Sequence, residues 1–304
     1  MRTNDSALTA SAAVDEIGAL AARAKGRSLS TLAWGQFRKK RGALAGLAVI
    51  TLFIVVAFAA PLLAPYDPTA ASSQTLKPPT GTHVMGTDIL GRDIFSRVIW
   101  GSRISLAVGL VSVLIGASIG IVLGLVSGYY GGKADAMISM AMDILLAFPG
   151  ILLALSIIAV LGPNLQNVMI AVGLSAVPVY TRLVRGSVLS AREAAYIEAS
   201  RVVGCRNHTI MFRHLLPNVV APVIVLSTLS IASAILTAAG LSFLGLGTRP
   251  PTPEWGAMVS DGRQYLRTAW WVSTWPGLVI MLTVLAINQL GDGLRDALDP
   301  RLRR

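Results

Sequence analysis

Six apolar runs, at 43–63, 104–126, 136–161, 168–183, 217–240 and 275–290, constrain this 304-residue chain more than any other feature. An α-helix needs about 20 apolar residues to cross the hydrocarbon core of a bilayer, and most of the runs come close to that length. In lipid, each backbone N–H and C=O must find its partner inside the protein, so such runs read as helices. The expected fold is therefore all-α, a polytopic membrane protein with six transmembrane helices. Composition points the same way: 54% of the residues are hydrophobic and 13% are charged, where an ordinary soluble domain carries about 25% charge.

Several classes of function fall away. The net charge is +11, but the basic residues are divided among loops and form no face on a soluble fold, so a nucleic-acid partner is not expected. Cys205 is the sole cysteine, which leaves no intramolecular disulfide. Three histidines without zinc-ligand spacing give no metal site. A Gly-x-x-x-x-Gly-Lys-Ser/Thr phosphate loop is missing as well. No catalytic residue and no cofactor is assigned, and any ATP that drives this chain is expected to be bound by another.

The segment 192–218 is the most charged stretch between the apolar runs. Glu193 to Val203 contains neither Gly nor Pro and favours helix. Gly204 supplies the positive-φ position at a helix C-terminus, and Asn207 is suited to cap a second short helix. In that second helix Met211 and Leu215 are four apart, as are Ile210 and His214, which makes two neighbouring stripes. Pro217 is expected to end it, because the residue before a proline is pushed out of the α region. Glu198 and Arg201 are three apart and suited to pair. Such a helix pair, apolar on one face and basic on the other, fits a groove on a partner protein or a layer of lipid headgroups.

Glu198-Ala199-Ser200, three residues, Gly204, nine residues, His214, one residue and Leu216-Pro217 resembles the Glu-Ala-Ala loop of binding-protein-dependent ABC importer permeases. Ser200 stands where that pattern has a second Ala, and His214 where it has Ile. The literal Glu193-Ala194-Ala195 lies five residues too far from Gly204 to serve. A second stretch, Met85-Gly86-Thr87-Asp88 through Gly91-Arg92-Asp93 to Ser96-Arg97, resembles the dipeptide, oligopeptide and nickel branch of that family, and the polar segment 291–301 is similar to its tail. The resemblance implies a coupling loop that docks on an ATPase, with Glu198, Ala199, Ser200, Arg201, Gly204, Ile210, His214, Leu216 and Pro217 as its site residues. It also implies a second homologous permease subunit, two ABC ATPase subunits and an extracytoplasmic substrate-binding protein as partners. Transport would run by alternating access, carrying di- or oligopeptides, or nickel or another small solute.

The rest of the chain yields further expectations. Residues 1–28 read as a disordered polar tail without the apolar core of a signal peptide. Within 29–41, Trp34 reads as an interfacial anchor ahead of Arg38-Lys39-Lys40-Arg41. Asp88 and Asp93 are interleaved with Arg92 and Arg97 and are expected to pair locally. Gly109, Gly116, Gly120 and Gly124 allow close helix approach. Asp143 lies inside the third run, where it either reaches the interface or serves a solute pathway. Pro149 and Pro178 predict kinks. Residues 241–247 read as a Gly-interrupted re-entrant or interfacial piece, and 248–271 as a polar loop.

Six crossings place both termini on one side, and 19 of the 26 Lys and Arg lie on that side together with 192–218. The positive-inside rule then puts termini and loop in the cytoplasm, and the resemblance implies a bacterial inner membrane. The domain division expected is a cytoplasmic tail at 1–28, an N-terminal region with the first span and an extracytoplasmic loop at 29–99, a transmembrane core at 100–291 and a cytoplasmic tail at 292–304. Two rival classes are a secondary transporter, which calls for internal repeats and charged midplane helices, and a channel subunit, which needs no amphipathic cytoplasmic helix pair.

Overall fold

The computed structural model describes residues 29–248 and 250–298, with side chains from Trp34 onward. The tail at 1–28 and the end of the chain from 299 lie outside the described residues. In chain order the helices are α1 (Leu29–Lys39), α2 (Arg41–Phe58), α3 (Ala60–Leu63), α4 (Ile94–Tyr130), α5 (Gly132–Leu146), α6 (Gly150–Leu161), α7 (Leu165–Ala191), α8 (Ala195–Val202), α9 (Asn207–Thr209), α10 (Leu216–Phe243), α11 (Trp255–Gly262) and α12 (Trp271–Leu298). A π-helical segment, Ile210–Leu215, joins α9 to α10. Among the described residues the only β-pairing is the isolated bridge between Thr87 and Asp93.

Among the described residues, five helical runs are long and apolar enough to cross a membrane: Arg41–Phe58, Ile94–Tyr130, Leu165–Ala191, Asn207–Phe243 and Trp271–Leu298. The third expected span is instead the pair α5 and α6, bent by 93° at the break between them; counted as one span it makes six. Pro149 therefore marks a break and not a kink. The helix stops at Leu146, and Pro149 starts the next one with extended backbone, at φ −54° and ψ 132°. Its ring removes Phe148 from the α region, and no N–H at 149 is available to continue the ladder. Pro178, by contrast, is buried inside α7, which runs through it as one helix.

The helices outrun the apolar stretches at both ends. Asp93 caps α4 by accepting the Ser96 N–H at 2.8 Å, so this helix starts ten residues before its apolar run. Packing of α4 against α7 forms the core. Gly116, Gly120, Gly124 and Gly128 line the contact, four residues apart, against Gly173, Tyr180, Val184 and Val188 of α7. Small residues at this spacing let backbones approach closely, as lipid-embedded helices require. At the other end of the chain α12 continues through the polar 291–298 segment. Its Ala297 packs on Phe37 of α1 and Ala43 of α2, and Lys40 pairs with Asp296.

The piece at 241–247, expected to be re-entrant or interfacial, is instead the end of a long helix. α10 continues to Phe243, where Gly245 N–H bonds to Ser242 O and Leu246 N–H to Leu241 O, with Gly245 at φ +81°. This is the Schellman closure of an ordinary helix end. The loop beyond it contains a helix of its own, α11, which packs on α12 and α10. Trp255 is wholly buried there and donates its indole N–H to Val98 O at 3.0 Å.

Residues 64–93 fold back over the start of α4 and form a cap with α11. Asp88 pairs with Arg92 at 2.6 Å and with Arg97 at 3.5 Å, as the interleaved charges suggest. Asp93 departs from that pattern, since it faces His83 at 2.9 Å as well as capping α4. Glu254 caps α11 by accepting the N–H groups of Gly256 and Ala257. It is only 4% exposed. Burial pushes its carboxyl above the ordinary value of 4.5, against the opposing effect of those two hydrogen bonds. A raised folded-state value means that the folded chain holds this proton more tightly than the unfolded chain. The resulting stability is fully present below about pH 4.5 and is lost as pH rises through the folded value. Thermal unfolding of the wild type should therefore lose ground to Glu254→Gln as pH is raised from 4.5. Parallel pH profiles for the two chains would refute the assignment.

Candidate coupling loop

α7 ends at Ala191, and Arg192 ties the turn that follows to α4 by donating from Nη1 to Gly128 O at 3.0 Å. α8 starts at Ala195, two residues later than the sequence suggests, behind the extended Ala194. One face of α8 is held inward by the fully buried Ile197; Ser200 is half-buried, and its Oγ donates to Tyr196 O one turn back in the same helix. Glu198, Ala199, Val202 and Val203 lie on the opposite face, exposed. Val202 and Val203 are 83% and 81% exposed, unusual for apolar side chains at the tip of a charged loop. Contiguous exposed apolar surface ringed by charge marks an interaction site.

Gly204 ends α8 as the sequence predicts. It lies at φ +82°, its N–H bonds to Arg201 O and the Cys205 N–H to Ser200 O, both at 3.0 Å. This pair of bonds satisfies carbonyls that the helix end would otherwise leave open. Other local expectations fail for tertiary reasons. Asn207 does not cap the next helix: Arg206 holds the cap position, and Asn207 Oδ1 accepts the Tyr129 hydroxyl at 2.9 Å. Arg201 forms no ion pair with Glu198 among the described residues; its guanidinium sits over the Tyr129 ring, 5.4 Å from the centroid. Tyr129 at the end of α4 thus grips both halves of the loop, a contact that no local spacing reveals.

Pro217 does not end the second helix. In a regular α-helix its ring would collide with the carbonyl of Arg213. The π-helical turn Ile210–Leu215 widens the helix just before it, and the Leu216 N–H reaches back five residues to Met211 O. Ile210 and Leu215 are fully buried in this turn and Met211 nearly so, whereas His214 and Leu216 are half-buried and Pro217 is exposed. Asn218 Nδ2 donates both to His214 O at 2.8 Å and to the Tyr196 hydroxyl of α8 at 2.9 Å. The helix consequently runs from Asn207 to Phe243 without a hinge.

The remaining predicted residues lie in the spans. Asp143 on α5 is exposed and pairs with Arg182 on α7 at 2.5 Å. Nearer the loop, Asp135 holds Arg185 through two bonds of 2.5 and 2.6 Å and also accepts the Ser127 hydroxyl. These two pairs lace α5 to α7, so Asp143 has a structural partner that its isolation in an apolar run concealed. Pro149 and Pro178 take the positions described above.

Residues 120–304 match the family described as binding-protein-dependent transport system inner membrane component. Residues 28–79 match the N-terminal transmembrane domain of oligopeptide transport permease C. The dipeptide transport system permease protein of Alkalihalophilus pseudofirmus is 50% identical over 273 residues, which cover 89% of this chain and 90% of that protein. The di/tripeptide transport system permease protein of Pseudomonas aeruginosa is 48% identical, covering 89% of this chain and 91% of the relative. The glutathione transport system permease protein of Escherichia coli O157:H7 is also 48% identical, at 89% and 90% coverage. Among solved structures, a methionine ABC transporter in an inward-facing conformation aligns with a TM-score of 0.54 at 22% identity, over 67% of this chain and 97% of that one. An amino acid ABC transporter crystallised with histidines aligns at 0.51 and 14% identity, over 66% and 92%. At these identities the structural likeness establishes the fold, while the family match and the curated relatives establish kinship: the chain belongs to the binding-protein-dependent transport system inner membrane component family, as a multi-pass permease of an ABC importer.

Proposed function

We propose that this chain is one of two permease subunits of an importer of small peptides, driven by two separate ATPase subunits and loaded by an extracytoplasmic binding protein. The relatives are named for dipeptides, di/tripeptides and glutathione, all short peptides. In this reading the chain keeps the division expected above: tails at 1–28 and 292–304, an N-terminal region at 29–99 and a transmembrane core at 100–291. Both termini and 192–218 face the cytoplasm, as the distribution of Lys and Arg supports.

One observation carries the assignment of the loop. α8 is tied to α4 through Tyr129, to α10 through Asn218, and is followed by a helix unbroken from Asn207 to Phe243. A displacement imposed on the exposed face of α8 is delivered to a membrane span through these two ties and the turn at Gly204. Glu198, Ala199, Val202 and Val203 meet the ATPase, while Ser200, Arg201, Gly204, Ile210, His214, Leu216 and Pro217 hold that face in place.

Purification of the intact complex tests the reading. Two ATPase subunits should accompany the chain, and proteoliposomes should import a labelled dipeptide only with ATP on the cytoplasmic face and binding protein on the other. Import without ATPases, or ATP hydrolysis by the isolated chain, would contradict it.

A further inference from the structure

At the middle of the bundle α4, α7 and α10 part to leave a cavity of about 310 Å3. Seven of its thirteen lining residues are apolar, and the other six bring hydroxyl groups from all three helices: Ser112 of α4, Ser175 and Tyr180 of α7, and Ser230, Ser233 and Thr237 of α10. Ser112 lies within the apolar run of α4 and Ser230 within that of α10, so the cavity lies among the membrane-spanning segments. None of its lining residues is charged.

The hydroxyls divide into two sets. Those on α4 and α7 donate within the protein: Ser112 to Met169 O at 3.1 Å, Ser175 to Val172 O at 2.8 Å and Tyr180 to Ser227 Oγ at 3.1 Å. Ser230, Ser233 and Thr237 form no side-chain hydrogen bond among the described residues. They stand three and four residues apart, on one face of α10. A hydroxyl in a membrane helix ordinarily turns to a carbonyl one turn back, and Thr228 of the same helix does so, to Ile224 O at 3.0 Å. Three hydroxyls that forgo this bond and open into one recess require a partner from outside the chain, since unpaired polar groups are costly away from water.

Resting on the reading of the chain as a peptide permease, we propose that this recess is the subunit's wall of the solute path. Ser230, Ser233 and Thr237 form hydrogen bonds with the backbone amides of a passing, partly hydrated peptide. Hydroxyls both donate and accept, so they satisfy a peptide N–H or C=O in any register. A wall without fixed charge holds neither terminus of the peptide and does not discriminate among its side chains. The alternative occupants are a helix of the second permease and lipid.

Cysteine reactivity in the whole assembly, with its partner permease, ATPases and binding protein, separates them. Ser233→Cys and Thr237→Cys are compared with Leu236→Cys on the same helix, which is 55% exposed and does not line the cavity. A charged, water-soluble thiol reagent is applied, and adducts are located by mass spectrometry so that native Cys205 stays in place. The recess cysteines should react at least about tenfold faster than Leu236→Cys, because a charged reagent does not enter hydrocarbon. Saturating dipeptide should slow that reaction during turnover, and modification should stop import. Reaction of Ser233→Cys and Thr237→Cys only with a lipid-soluble maleimide would place lipid in the recess. Failure with both reagents would place a partner helix there. Either result overturns the proposal. If the unmodified assembly imports no dipeptide, the peptide reading fails by itself, while the cysteine rates still report whether the recess holds water.

Discussion

Gly204→Asp is expected to abolish ATP-driven import while the chain still inserts and assembles with its partner permease. The structure separates the local cost from the functional one. At φ +82° any side chain is strained, by roughly 1–2 kcal/mol for a typical residue. Asp is among the residues that tolerate this region best. A Cβ built on Gly204 meets nothing within 4 Å, so no steric clash is added. A penalty of this size leaves a helix pair anchored by Ile197, Ile210 and Leu215 in place, because all three are fully buried. The loss must then come from the exposed side. A carboxylate next to Val202 and Val203 puts a charge beside the apolar tip that the ATPase would cover, and a charge desolvated without a partner is expensive. Gly204→Asn is the control: it has nearly the same shape and backbone tolerance but no charge, and it should retain most of the import. The measurements are membrane abundance, co-purification of the ATPases and dipeptide uptake for both variants. Import by Gly204→Asp near the wild-type level, or loss explained by absent protein, would remove the loop from coupling.

The same segment shows what could be read from sequence and what could not. Gly204 was legible because its requirement is local: the helix must stop, and the Schellman bonds from Gly204 and Cys205 need only neighbouring carbonyls. The role of Pro217 was not. The rule that a proline ends a helix presumes α geometry, and the π turn at Ile210–Leu215 changes that geometry just before the proline. Arg201 and Asn207 were misplaced for another reason. Their partner in both cases is Tyr129, distant in sequence and brought near by the long α4. Helix ends were under-read wherever polar residues are buried by the cap, as at Ser96 and Arg97, since hydropathy alone counts them as loop. The spans themselves, and the glycine spacing on α4, were legible because lipid imposes a simple rule on every helix that crosses it.

Gly124→Leu should have the largest effect on the amount of folded protein. The interface of α4 with α7 is built on backbone proximity, and Gly124 is one of the positions where that proximity leaves no room for a side chain. A Cβ added there would lie 2.6 Å from Val184 Cβ and 2.8 Å from the Thr181 carbonyl oxygen. Neither atom is the end of a flexible side chain: one is fixed to the α7 backbone and the other belongs to it. The helices must move apart, and the disturbance reaches Tyr180 and Val188, both buried in the same core. Overpacking in a well-packed core costs about 1–3 kcal/mol and more when the backbone has to shift, so for Leu more than ~3 kcal/mol is expected. Gly124→Ala should show a smaller loss of the same sign. Gly186 on α7 provides the contrast: it is exposed, a Cβ there meets nothing within 4 Å, and Gly186→Ala should leave abundance unchanged. Detergent-solubilised chain is quantified after a graded heat challenge for all three variants. If Gly124→Leu survives the challenge as well as Gly186→Ala, α4 and α7 are not held together by backbone contact at this position, and the packing described for the core is wrong there.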